Sequence, residues 1–124
     1  MHLGSDDESV AAARARSGPA AIIGASCYNR LESARKAQQE GATYVAFGSF
    51  FPSSVKPGAV HAPLMLLHEA KRELTLPVVA IGGIDHVNAP RLIAAGADSV
   101  AVIAALFSAA DVRGAASHFS KLFP

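Results

Sequence analysis

Tryptophan is absent, cysteine occurs once, at Cys27, and the aromatic complement is six phenylalanines and two tyrosines. One cysteine excludes an intrachain disulfide, so stability has to come from a packed core. A lone thiol after an apolar run is ordinarily a packing residue unless a base stands beside it. The chain also lacks an excess of either charge: 11 Lys and Arg against 10 Asp and Glu leave a formal net charge of +1. With the basic residues interspersed and few rings to stack on bases, nucleic acid is not expected as a partner. No run reaches the roughly 18 to 20 apolar residues of a membrane span, and the first residues are polar and acidic instead of the apolar centre of a signal peptide. A cytoplasmic location without membrane contact is therefore the expectation.

What the chain does have is apolar content, 51% over 124 residues, enough for a single domain spanning 1–124 with a core of its own. Its organising stretch is Val78 to Leu106. Val78 to Ile81 follows Pro77 as a short apolar run, the pattern of a parallel strand buried on both faces. Gly82 and Gly83 stop it and suit a tight turn whose amides could face an anion. Asp85 as a cap, Pro90 in the first turn, apolar Leu92, Ile93 and Ala95, and Gly96 as a stop mark a helix, after which Ser99 to Ile103 reads as a second buried strand. A strand–helix–strand unit crosses over right-handed, which puts the Gly82-Gly83 turn beside the end of the next strand, where α/β proteins commonly bind phosphate.

The same unit repeats along the chain. His2 to Gly4 reads as the tail of a strand, followed by the acidic turn Ser5-Asp6-Asp7-Glu8 and a helix from Glu8 to Arg16. Asp6 and Glu8 are expected as helix-dipole complements, whereas Asp7 at a strand end is a candidate Mg²⁺ ligand. Ala20 to Ala25 reads as a strand and Ser26 to Asn29 as its turn, with Asn29 capping a helix from Leu31 to Glu40 whose inner stripe is Leu31, Ala34 and Ala37. The Gly-Ala-strand pattern at Gly41 to Gly48 recurs at Gly96 to Val102, which favours repeated β/α units and a parallel sheet. A long loop from Ser49 to Pro63 interrupts the spacing, and its polar centre Ser53-Ser54-Val55-Lys56 offers hydroxyls and an ammonium to a phosphate. His61 and His68 lack partners at metal-ligand spacing and read as surface residues. Two more helices are expected: Leu64 to Leu74, and Ala110 to Leu122 with Val112, Ala115, Ala116 and Phe119 inward.

Together the segments HLGSDD (2–7), IIGAS (22–26), YVAFGSFFPSSVK (44–56), VVAIGGI (78–84) and AGADSVAVIAAL (95–106) resemble the thiamine phosphate synthase family, in order and spacing across essentially the whole chain. The resemblance implies an α/β fold of parallel (β/α) units of a TIM barrel, with about five of its eight strands present, an incomplete barrel. It implies a transferase that joins hydroxymethylpyrimidine pyrophosphate to a thiazole phosphate, giving thiamine phosphate and pyrophosphate, with Mg²⁺ as cofactor. By motif position Asp7 would be the metal ligand, and Ser26 and Lys56 the catalytic groups on the pyrophosphate. Ser53, Ser54 and Val55, with Gly83 and the Ile103-Ala104 backbone, would hold the thiazole phosphate.

Three positions depart from the family pattern: Ser5 stands where Gln is usual, Val55 where a hydroxyl residue is usual, and Ala104 where Ser is common. The family's first strands, which carry the pyrimidine site and a second metal carboxylate, lie outside these residues. Five strands cannot close a barrel, so exposed sheet edges and self-association through them are expected, as is little or no activity of this chain by itself. Two other readings remain on the residues. One is a noncatalytic phosphate-binding half barrel; the other is a thiazole tautomerase-like relative, for which a histidine would be expected in the turn after Ser26, where Tyr28 stands.

Overall fold

A computed structural model describes residues 1–52 and 61–124. Five strands, β1 (His2–Leu3), β2 (Gly24–Tyr28), β3 (Tyr44–Phe47), β4 (Val78–Ile81) and β5 (Ser99–Ala101), form one sheet in chain order, and every neighbouring pair is parallel. Between them run α1 (Val10–Ser17), α2 (Leu31–Gln39), α3 (Met65–Glu73) and α4 (Ala89–Ala94), with α5 (Ala104–Phe107) and α6 (Val112–Ser120) after β5. Sequential order without crossing is what successive right-handed β/α units produce.

The two faces of the sheet differ. Leu3, Ala25, Val45 and Val78 are level across four strands and all buried beneath the helices, joined there by Cys27, Phe47 and Ala80. The opposite face carries His2, Ser26, Tyr44, Val79, Ile81, Ser99 and Ala101, none of them fully buried, with small, buried Gly24 and Ala46 between them. Val78 to Ile81 is accordingly buried on one face only, in alternation, contrary to the continuous apolar run in the sequence. Departure is greatest at β5, which stops at Ala101 instead of Ile103 and is not buried: an edge strand has one neighbour, and its open side meets solvent.

Local chemistry moves several other boundaries. The strand expected over Ala20 to Ala25 lies over Gly24–Tyr28, which puts Ser26 inside the strand, not in the turn after it. Ile22, ahead of it, is 66% exposed. Helix α1 is capped by the Ser9 hydroxyl on the Ala12 amide and has no acidic residue in its first turn; Glu8 pairs with Arg16 instead of serving the helix dipole. Arg30, not Asn29, occupies the cap of α2, while Ala34 and Ala37 are buried as expected and Leu31 partly so. Asn88, not Asp85, occupies the cap of α4. The expected C-terminal helix begins at Val112, capped by Asp111 on the Gly114 amide, and buries only Phe119 of its expected inner stripe; Val112 is 40% exposed.

Arg14 ties the lower ends of the units together. From α1 its guanidinium donates to the carbonyls of Gly41 (2.6 and 3.1 Å), Gly18 (2.9 Å) and Ala21 (2.6 Å), tying together the loops before β2 and β3; Gly18 and Ala21 also accept longer bonds from the Ala21 amide and the Thr43 hydroxyl. Arg35 on α2 bonds Glu73 on α3 at 2.6 Å, which holds the Glu73 carboxyl below its usual range. Lys71 on α3 reaches Asp98 at 2.8 Å, and the same Asp98 oxygen accepts from the Val78 amide at 2.8 Å, so one carboxylate links α3, β4 and the approach to β5.

Candidate functional site

The carboxyl ends of all five strands share one edge of the sheet, and the sequence-predicted residues fall on both sides of β3. On the first side, Leu3 leads into a turn in which the Asp7 carboxylate accepts from the Gly4 amide at 2.7 Å and the Asp7 amide donates to the Gly4 carbonyl at 3.2 Å. That loop is steadied from β2: the Tyr28 hydroxyl accepts from the Ser5 amide at 3.3 Å. Asp7 and Ser26 line the same open cleft of about 290 Å³, together with Ser9, Lys36 and Glu40. Much of that lining, Leu3, Ala25, Cys27 and Ala37, is on the helix side of the sheet, whereas the Ser26 side chain turns to the opposite face, so the cleft does not join the Asp7 carboxylate to the Ser26 hydroxyl.

Tyr28 takes a positive φ of 54° at the end of β2, where the pairing with β3 also shifts between Ser26 and Tyr28. An irregularity of this kind re-aims side chains at a strand tip. Cys27 in between points to the helix side, and burial pushes its thiol up to about 12, so it is a packing residue and not a nucleophile.

On the other side of β3, the Gly82-Gly83 turn follows β4, with φ of 95° and 65°. Its shape is fixed by two side chains. Asp85 and Asn88 exchange side chain to amide bonds at 2.8 and 2.9 Å, and the Asn88 amide nitrogen donates to the Gly83 carbonyl at 3.0 Å. The glycines are also needed for packing. A Cβ on Gly82 would lie 2.1 Å from the Ser49 hydroxyl, and one on Gly83 would lie 2.4 Å from the Phe51 carbonyl oxygen. The loop after β3 therefore sits directly against this turn, and Arg91 of α4 stacks on Phe51 at 5.5 Å from the ring centroid.

Register places the remaining expected residues. Ile81 pairs with Ala101, so Gly83 and Ile103 each stand two residues beyond a paired couple on neighbouring strands. Ile103 caps the short α5, with Ala104 as its first residue, and is 63% exposed. Among the described residues no acceptor meets the amides of Gly83 or Ala104. The expected Ser53, Ser54, Val55 and Lys56 lie outside the described residues. His61 and His68 are both exposed, in line with their reading as surface residues.

Sequence reasoning passed over two residues. His2 and Tyr44 flank Gly24 in register, stack with ring centroids 5.7 Å apart and 24° between planes, and meet in a hydrogen bond of 2.9 Å. The other ring nitrogen of His2 stands 2.7 Å from the Ser26 hydroxyl. The available signal was the alternation of His2 with buried Leu3 and of Tyr44 with buried Val45, which puts both polar rings on the face that bears Ser26.

Against known proteins, residues 1–106 match the family model described as "Thiamine monophosphate synthase". A thiamine-phosphate synthase of Thiobacillus denitrificans is 58% identical over 123 residues, covering 99% of this chain and 58% of that protein. One from Nitrosomonas eutropha is 57% identical with the same coverage. Among solved structures, a thiamine phosphate pyrophosphorylase from Pyrococcus furiosus superposes with a TM-score of 0.83 at 37% identity, over 98% of this chain and 57% of that one. The chain thus spans a little over half the length of the relatives it matches. By the extent of the family match, this chain belongs to the thiamine monophosphate synthase family.

Proposed function

We propose that these residues are five consecutive units of a (β/α)₈ barrel that makes thiamine phosphate from a hydroxymethylpyrimidine pyrophosphate and a thiazole phosphate, releasing pyrophosphate. Identity of 58% across 99% of the chain carries the reading, and the parallel sheet with all its strand ends on one edge supports it. A barrel with an active site built from strand-end loops draws residues from many strands. The remaining strands, with the rest of the pyrimidine site, would come from residues outside this sequence.

In this chemistry the departing group is a pyrophosphate, and catalysis consists of placing donors and positive charge where negative charge develops. Ser26 offers a hydroxyl and Lys56 an ammonium for that purpose. Ser53, Ser54, Val55, Gly83, Ile103 and Ala104 would cradle the thiazole phosphate, largely through backbone amides, because Val55 and Ala104 bring no hydroxyl.

Asp7 fits Mg²⁺ as one hard ligand. One of its oxygens is engaged by the Gly4 amide, and the other has no partner among the described residues. The proposed Mg²⁺ site would take Asp7 as one protein ligand, with water and substrate phosphate completing it, the ion's usual habit. When bound, the metal would neutralise charge on the pyrophosphate.

A second reading, a phosphate-binding half barrel without catalysis, draws on the exposed face of β5 and the edges at β1 and β5. No helix among the described residues is long and apolar enough to cross a membrane, and a cytoplasmic location is part of the proposal. The deciding experiment mixes this chain with the segment of the Thiobacillus denitrificans relative that it does not match and measures thiamine phosphate formed with Mg²⁺ and both substrates. Turnover in the mixture and not in either part is expected. A stable complex with no turnover would favour the binding-only reading.

A further inference from the structure

We infer that Tyr44, His2 and Ser26 form a directed hydrogen-bond relay that fixes Ser26 as a donor toward an anion on the open face of the sheet. The three sit on three adjacent strands around one glycine. Gly24 pairs with His2 on one side and Tyr44 on the other, and Ser26 follows two residues later on the same face. Without a side chain on Gly24 the two rings close over it: a Cβ there would lie 1.9 Å from the Tyr44 ring.

Direction follows from donor strength. A neutral imidazole has one N–H and one lone pair, so only one of its two hydroxyl neighbours can donate to it. A phenol is a far stronger acid than an alkyl alcohol and wins that position. Tyr44 therefore donates to Nδ1 across 2.9 Å, His2 carries its proton on Nε2, and Nε2–H donates to the Ser26 oxygen across 2.7 Å. Ser26 keeps its own proton unspent, since it has no other partner among the described residues. Were the relay reversed, Ser26 would spend its proton on His2 and present only lone pairs, which repel a phosphate oxygen. His2 and Tyr44 are then positioning residues, acting through Ser26 without touching the anion.

That the anion is the pyrophosphate rests on the function proposed above; the direction of the relay does not. The test is ¹⁵N NMR of the imidazole in this chain, together with calorimetric titration of inorganic pyrophosphate and Mg²⁺. The expected spectrum shows His2 in the Nε2–H form, shifting toward a mixture in Tyr44→Phe. Pyrophosphate binding is expected to weaken about tenfold in Tyr44→Phe, the loss of roughly one neutral hydrogen bond. His2→Gln, whose amide can still donate to Ser26, should bind nearly as well as the parent, whereas His2→Leu should not. An Nδ1–H form, or measurable binding by the parent that Tyr44→Phe leaves unchanged, overturns the relay. An Nε2–H form without any pyrophosphate binding upholds the relay and counts against the ligand reading instead.

Discussion

The ring of Tyr44 lies over Gly24, occupying the space where any other residue would place its Cβ. The atoms in the way are the outer ring atoms of a mobile side chain, so Gly24→Ala can be accommodated by swinging the ring aside. That motion breaks the bond to His2, at a cost of about 0.5–1.5 kcal/mol, while the alanine recovers about 0.4–1 kcal/mol by restricting the unfolded chain. Urea unfolding should thus show a net change within about 1 kcal/mol. The His2 ring resonances should nevertheless move; if they stay put, the rings do not meet over the glycine.

Arg14 predicts the opposite balance. Its guanidinium serves three carbonyls in loops that hold β2 and β3 in place, and Arg14→Met would leave them short of a donor. Hydrogen bonds to a charged group are worth about 1.5–3 kcal/mol, and a loss in that range or above is expected by denaturant unfolding. Arg16→Met is the control. Arg16 pairs with Glu8 at the surface, where solvent screens the pair and its removal is expected to cost much less. Equal effects from the two would show that the Arg14 contacts carry no special weight.

Much of this architecture was legible because its signals are local. The helix at Met65–Glu73 and the strand at Val78–Ile81 follow from apolar spacing bounded by Pro63 and Pro77, and each falls within a residue of its expected limits. The strand at Gly24–Tyr28 was misplaced because Ala20 to Ile23 is the more apolar stretch, yet pairing with β3 is set by register and not by apolarity. Burial of β5 and of the inner stripe of α6 was overestimated for a different reason. Those residues are apolar enough for a closed core, but the neighbours that would cover them are absent among the described residues. In the site, Asp7 and Ser26 are candidates through their strand-end positions and the family resemblance, whereas His2 and Tyr44 gain meaning only once three strands set them around one glycine.

Asp98 should make stability depend on acid. Burial by itself would raise its carboxyl, but the bonds from Lys71 and the Val78 amide, with the Lys71 charge, hold it below the usual 3.8. A carboxyl lowered in the folded state contributes its full stabilisation above the unfolded value and loses it as pH falls through the folded one. Because both side chains are more than a third exposed, the contribution is small, about 0.2–1 kcal/mol. Unfolding midpoints of the parent and Asp98→Asn should differ at pH 7 and converge toward pH 3. A constant gap across that range would mean that the carboxylate charge is irrelevant.

Gly83 separates a packing role from a ligand role. If its only duty were to let a phosphate approach the backbone, Gly83→Ala would leave the ligand-free protein as stable as before. The surroundings argue otherwise. Its φ is +65°, where alanine is strained by about 1–2 kcal/mol, and the added Cβ would sit 2.4 and 2.5 Å from the carbonyl oxygens of Phe51 and Pro52. Backbone cannot swing aside as the Tyr44 ring can, so the loop after β3 has to move, adding about 1–3 kcal/mol. Gly83→Ala is therefore expected to destabilise the ligand-free chain by about 2–5 kcal/mol in denaturant unfolding, well beyond Gly24→Ala. A ligand-free stability equal to the parent's would show that the β3 and β4 loops do not pack as described, and would leave the glycine to the phosphate alone.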